Sequence, residues 1–191
     1  MADTSRSPLG ELRRYWLMPA AIAAAIITVD QLTKSWVWQN LGPNEGTTLP
    51  LLPPWLNLTL VHNTGVAFGM FQGVPHFFTI TSILISIGAL YFYRFHMPHN
   101  RPLVQWCLGM IIGGAIGNVI DRIRMGFVID FVHVRYFPGI FNVADSTITV
   151  GVLLLAGYLI LFGDETQQPV RRAPPADDAL LGDLLKGDPP Q

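Results

Sequence analysis

The chain has 191 residues, of which 50% are hydrophobic and 13% charged, with a formal net charge of -1 and a mean hydropathy of +0.38. A soluble domain carries about 25% charge, so this is the composition of a membrane protein, and its near-neutral balance excludes an electrostatic nucleic-acid partner. The one cysteine, Cys107, excludes an internal disulfide; no zinc-ligand spacing is present, and neither a metal nor a cofactor is expected.

Residues 1–14 carry Arg6, Arg13 and Arg14 and are expected in the cytoplasm. A hydrocarbon core about 30 Å thick needs roughly 20 helical residues. The first run of that kind spans Tyr15 to Trp38. Arg13 and Arg14 before LMPAAIAAAIITV also resemble a secretory signal peptide, even a twin-arginine one. No cleavage site follows the apolar run, and an uncleaved first helix is the simpler account. Asp30 and Lys34 sit inside this run at i and i+4, on one helix face. Asp30 lies about 22 Å beyond Tyr15, toward the outer side. The pair reads either as a structural ion pair or as a charge holding the members of a site in position.

The link from 39 to 74 has no Lys or Arg, and its segment WLNLTLVH alternates with the period of a strand. Trp36, Trp38 and Trp55 suit a membrane interface. The stretch HNTGVAFGM holds Asn63, Gly65 and Gly69, and its glycines suit a hinged flap. A second span covers 75–93, and Arg94 and Arg101 follow it. The third span runs from Leu103 to Ile120, with Gly109, Gly113 and Gly117 at GxxxG spacing beside Gly114. Such a face serves either tight helix packing or a groove where lipid or peptide approaches the backbone.

Asn118, Asp121 and Arg122 close the third span. The segment FVIDFVHV then alternates as a strand and holds Asp130 among apolar and β-branched residues. Asn142 and Asp145 follow, and the fourth span runs from Ser146 to Phe162. Asp145 reads either as a helix N-cap or as a reactive acid. Asp130 reads either as a solvated loop acid or as a carboxyl raised in pKa by burial and a second carboxylate. Residues 163–191 are rich in Pro, Asp and Gly and read as a mostly disordered tail, with ALLGDLLK as a short surface helix.

The expected fold is therefore an all-α integral membrane protein. Four transmembrane helices fill 15–162, with a small extracytoplasmic β-sheet lying on the membrane surface. Lys and Arg in the short links place both termini and the 94–101 link inside. Arg122, Arg124 and Arg135 oppose that rule on the outer side, which implies partners or a task there. Acids gathered at one face suit paired-carboxylate hydrolysis, in which one acid activates water and the other protonates the scissile carbonyl. A small proton-coupled transporter and a non-catalytic membrane scaffold stand as alternatives.

These residues also carry a resemblance. NVIDR at 118–122, VIDFV at 128–132 and FNVADSTITVG at 141–151, with DQLTK at 30–34 and HNTGVAFGM at 62–70, resemble the ordered motifs of bacterial lipoprotein signal peptidases, the type II signal peptidases. The resemblance covers about residues 15–162. It implies an aspartic dyad at Asp130 and Asp145, acting without a metal at the outer face of the cytoplasmic (inner) membrane. Asn63, Gly65, Asn118, Arg122 and Asn142 fall on positions that shape the pocket, Asp121 on the same motif, and Asp30 and Lys34 on the first-helix pair. The implied partners are prolipoprotein signal peptides bearing a diacylglyceryl cysteine, membrane lipid, and cyclic-peptide antibiotics of the globomycin type.

Overall fold

The computed structural model describes residues 8–42, 44–65 and 75–162. The expectations for the N-terminal segment before residue 8, for residues 66–70 of the flap and for the tail from 163 fall outside the described residues. Eight elements follow in chain order: α1 (Pro8–Leu41), β1 (Thr48–Leu52), β2 (Leu56–Asn63), α2 (Pro75–His96), α3 (Pro102–Met125), β3 (Val128–Val134), β4 (Ile140–Phe141) and α4 (Val143–Phe162). Among the described residues, three helical segments are long and apolar enough to cross a membrane: Tyr15–Leu41, Pro102–Met125 and Val143–Phe162. Their outer faces are apolar, with Val29, Leu32, Leu153 and Ile160 at least half exposed. Apolar surface on that scale needs a lipid solvent, and the chain is a multi-pass membrane protein.

α3 is the central helix and packs against α1, α4 and α2. Its glycines are the reason. A Cβ at Gly109 would stand 2.7 Å from Ile22 of α1, and one at Gly113 would stand 2.9 Å from the Ala23 backbone. Gly114 faces the other way, against α4, where a Cβ would meet the Ala144 carbonyl oxygen at 2.5 Å. At Gly117 the atom met is Asp30 Oδ2, at 2.6 Å. The glycine face is thus filled by protein on both sides, which settles its two readings for tight packing and against an open groove. Cys107 is fully buried.

At one end of the bundle Tyr93, Met97, Val104, Leu108 and Tyr158 form a core, and the Tyr93 hydroxyl donates to the Tyr15 carbonyl at 2.8 Å. At the other end a second core joins Val37 and Leu41 of α1 to Leu58, Leu60, Ile129 and Phe131 of the sheet. Trp38 packs into that second core and against His62, while Trp36 and Trp55 are exposed. Trp38 is therefore also a sheet contact.

The sheet is antiparallel with strand order β1-β2-β3-β4. Two of its strands are the alternating segments of the sequence; β1 and β4 are additions. Asp130 pairs with Val61, and the register shifts between Leu58 and Val61. β4 pairs only with Val132 and His133, so the first half of β3 has an open edge on that side. Helix ends also differ from expectation. α3 continues past Ile120 to Met125, because charged side chains at 121–124 do not stop a helix and Gly126 does. Gly126 adopts φ 81, and its N–H bonds the Arg122 carbonyl. The chain then turns straight into β3.

Glycine packing is directly testable. Gly114→Ala should lower stability by about 1–3 kcal/mol through overpacking. Gly88→Ala, where a Cβ meets nothing within 4 Å, should be neutral or gain up to about 1 kcal/mol of helix propensity. Thermal unfolding midpoints in detergent distinguish the two.

Candidate active site

The polar residues of the sequence form two connected layers. The deeper one is centred on Lys34, which is 2% exposed. Its ammonium reaches Asp30 Oδ2 at 2.9 Å, Asp121 Oδ2 at 2.8 Å and Asn118 Oδ1 at 2.9 Å. All three N–H donors are used. Asp30 is fully buried, and its other oxygen accepts the Ala144 N–H in the first turn of α4 at 3.0 Å. Asp121 accepts the Ile129 N–H of β3 at 3.2 Å. Gln31 completes this layer by donating to Asp121 Oδ1 at 2.9 Å and to the Gly117 carbonyl at 3.2 Å. Nothing in the first span marked Gln31 except its polarity beside Asp30. Asp30, Lys34 and Asp121 do not line the cavity described below; they support the residues that do.

The upper layer holds the two remaining acids. Asn142 has no exposed surface and is the N-cap of α4. Its Oδ1 accepts the Asp145 N–H at 2.9 Å, and Asp145 Oδ2 accepts the Asn142 N–H at 3.2 Å. This is a reciprocal capping box. Asp145 is therefore the third helical residue and not the N-cap, because α4 begins three residues earlier than its apolar run. Asn142 Nδ2 points the other way and donates to Asp130 Oδ1 at 2.7 Å. One buried amide thus touches both acids.

Each acid has a second amide partner. Asn118 Nδ2 donates to Asp145 Oδ1 at 2.8 Å, and Asn63 Nδ2 donates to Asp130 Oδ2 at 2.8 Å. The Asn63 oxygen accepts the Gly65 N–H at 2.9 Å, and Arg122 Nη2 donates to the Gly65 carbonyl at 3.0 Å. The Arg122 charge faces Asp145, Asp130 and Asp121, while its buried Nε has no hydrogen-bond partner among the described residues. Arg122 thus has a hydrogen-bond partner and three acids around it. Arg135 lies over the Trp55 and Tyr136 rings, at 5.8 and 4.9 Å.

Asp130 and Asp145 open into a cavity of 470 Å³. Asn63, Asn118 and Arg122 line its polar end, and Ile140, Phe141, Ile148 and Val150 its apolar walls. Ser82 of α2 closes one side. Asp130 is 2% exposed, whereas Asp145 is half-buried. Burial, and next the charge of Asp145, push the Asp130 carboxyl from 3.8 up to about 7, against the Asn63 and Asn142 hydrogen bonds. Two carboxyl groups held by neutral amides, one of them protonated near neutrality, can activate a water and polarise a carbonyl together. Among the described residues no three His, Cys, Asp or Glu side chains converge as a metal site.

Comparison with known proteins gives the family of the chain. Residues 22–161 match the family model described as signal peptidase (SPase) II. The chain is 39% identical to the lipoprotein signal peptidase of Moorella thermoacetica over 149 residues, covering 78% of this chain and 97% of that one. It is 45% identical over 150 residues to the lipoprotein signal peptidase of Caulobacter vibrioides, covering 75% and 86%. A solved structure described as a bacterial membrane enzyme, obtained by the in meso method at 2.3 Å resolution, aligns with a TM-score of 0.71 at 31% identity, covering 84% of this chain and 97% of that one. The chain belongs to the signal peptidase II family.

Two measurements probe the layers. Lys34→Met leaves two buried carboxylates without a cation and should cost about 3–5 kcal/mol, read as a large fall in the unfolding midpoint. Asp130 binds its proton more tightly folded than unfolded, so its contribution to stability is full below pH 3.8 and is lost as pH rises to about 7. Asp130→Asn should flatten that part of the stability–pH curve.

Proposed function

We propose that this chain is an aspartic endopeptidase of the cytoplasmic membrane. It removes the signal peptide from diacylglyceryl-modified prolipoproteins by cleaving before the lipidated cysteine. One observation carries the reading: the fully buried Asn142 amide bonds Asp130 on one side and the Asp145 capping box on the other, at the head of a single cavity.

In this mechanism Asp130 holds the shared proton, and Asp145, in the first turn of α4, is the base. Asp145 takes a proton from water as the water oxygen attacks the scissile carbonyl carbon. Asp130 gives its proton to the carbonyl oxygen, forming a neutral tetrahedral diol. Collapse re-forms the carbonyl and breaks the C–N bond: one diol hydroxyl returns its proton to Asp130, and the departing nitrogen takes the proton from Asp145. The signal peptide leaves with a new carboxyl end, and the lipidated cysteine with a free amine. Arg122 faces both acids and orients the peptide backbone in the cavity.

α2, a helix of 22 residues with apolar side chains such as Ile83, Leu84 and Ile87 exposed, is the fourth membrane span in this reading. Both termini then lie in the cytoplasm, and the sheet lies at the outer surface. The cavity runs from the dyad down between Ser82 of α2 and Ile148 of α4, a depth and polarity suited to a substrate held partly in lipid. Cyclic-peptide antibiotics of the globomycin type would occupy the same cavity. The buried acids gather at one end of the bundle and form no path across it, which favours a hydrolase over a proton-coupled transporter.

The test is cleavage of a lipidated prolipoprotein by purified enzyme in detergent or vesicles. Asp130→Asn and Asp145→Asn should each lower turnover by roughly 10³-fold or more while the variants remain folded by thermal unfolding. Undiminished cleavage by either variant would overturn the dyad. The wild-type rate should fall as pH rises through about 7, where the shared proton is lost.

A further inference from the structure

We propose that Lys34 is a positioning residue for the dyad. Its ammonium fixes the Asn118 side chain with the amide oxygen toward the cation and the amide nitrogen toward Asp145. The inference rests on the dyad reading above and adds to it a part for a residue that never touches the cavity.

The geometry is a relay of three contacts. Asp30 and Asp121 hold the Lys34 ammonium at 2.9 and 2.8 Å, from α1 and α3. The third donor of that ammonium goes to Asn118 Oδ1 at 2.9 Å. Asn118 Nδ2 is then the group left to face Asp145 Oδ1, at 2.8 Å. An amide has one acceptor end and one donor end. Turned over, Asn118 would set its NH₂ against an ammonium and its oxygen against a carboxylate, two repulsive contacts in place of two attractive ones. Asn142 Nδ2 adds a second donor to Asn118 Oδ1 at 3.1 Å. Asn142 cannot itself turn over, because its oxygen holds the Asp145 N–H. Lys34 is the charged member of this lock, and Asn118 is 7% exposed, so water does not replace it.

The placement also explains why a cation sits so close to a pair of acids without pairing with either. A Lys bonded directly to Asp145 would hold it as a carboxylate and would occupy the oxygen that the water needs. Through Asn118 the ammonium supplies orientation and leaves the Asp145 base with neutral hydrogen-bond partners.

The test uses the whole chain and the lipidated precursor. Lys34→Met alone unbalances two carboxylates, so the variant is Lys34→Met with Asp30→Asn and Asp121→Asn, which removes the whole ion cluster at once. Its kcat should fall about 10- to 100-fold, the size of a lost buried hydrogen bond to a charged group, with KM unchanged. Asn118→Ala should give a similar or larger loss of kcat. Combined, the four substitutions should cost no more than Asn118→Ala alone, because both act on one contact. Losses that multiply, or a loss seen in KM and not in kcat, would overturn the inference.

A second variant decides the matter if the triple one does not fold. Asn118→Asp keeps an oxygen for Lys34 and removes the NH₂ that faces Asp145. Its unfolding midpoint should fall, because an oxygen now faces the Asp145 carboxylate, and its kcat should fall at least as strongly as that of Asn118→Ala; retained kcat would overturn the inference. Asp145→Asn, run alongside, separates the two levels. If it cleaves normally, the dyad reading fails; if it is inactive while Asn118→Asp is active, only the Lys34 relay fails.

Discussion

A single buried ammonium ties this molecule together. Lys34 takes Asp30 from its own helix, Asp121 from α3 and the Asn118 amide in three short contacts. Each partner then holds something else. Asp30 binds the start of α4 through the Ala144 N–H, and Asp121 binds β3 through the Ile129 N–H. Four elements thus converge on one charge. Desolvating three ions is expensive, and a well-packed apolar cluster of the same volume is often as stable. What apolar side chains cannot do is specify direction. Hydrogen bonds from a fixed cation set the rotation of each helix about its axis, and Asp130 and Asp145 lie one layer above.

The two layers divide the electrostatics. Below, charges of opposite sign meet directly. Above, among the described residues, Asp130 and Asp145 bond to amides and backbone N–H groups, with Arg122 bound to the Gly65 carbonyl. Burial and the neighbouring carboxylate push Asp130 upward, against the Asn63 and Asn142 hydrogen bonds and the more distant Lys34 charge. A direct salt bridge at either acid would remove the proton that shared acid–base chemistry needs.

How much of this the chain announces depends on the range of the interaction. Apolar runs locate the helices because burial in lipid is written into composition, and the i, i+4 spacing places Asp30 and Lys34 on one face. FVIDFVHV and WLNLTLVH alternate and are strands. β1, with Pro50 in it and all five residues exposed, has no such pattern, and β4 is two residues long. Asp121 as the second carboxylate on Lys34 is ninety positions away from Gln31, its other partner. That pairing depends on which faces of α1 and α3 meet, and the glycines at 109 and 113 are the trace of it. The motif resemblance names Asp130 and Asp145, but the part of Asn142 as capping residue and bridge needs coordinates. Its signal in the sequence is the Asn-x-x-Asp spacing that a capping box requires.

The open edge of β3 shows why the sheet belongs to the site and not merely to its surroundings. A strand edge presents unpaired N–H and C=O groups, and inside a membrane protein's polar layer these would need partners. At Ile129 the N–H goes to Asp121, and the carbonyl faces Asn142 Nδ2 at 3.3 Å. Two side chains from helices therefore finish a ladder that β4 is too short to finish. The next residue along that strand is Asp130. Because Ile129 is clamped on one side and Asp130 pairs with Val61 on the other, the acid's height above α3 is fixed by backbone geometry. Its rotation is fixed by Asn63 and Asn142. A longer β4 would satisfy the same edge and would leave Asn142 no way to reach Asp130. The shortness of that strand is thus a condition of the contact between Asn142 and Asp130.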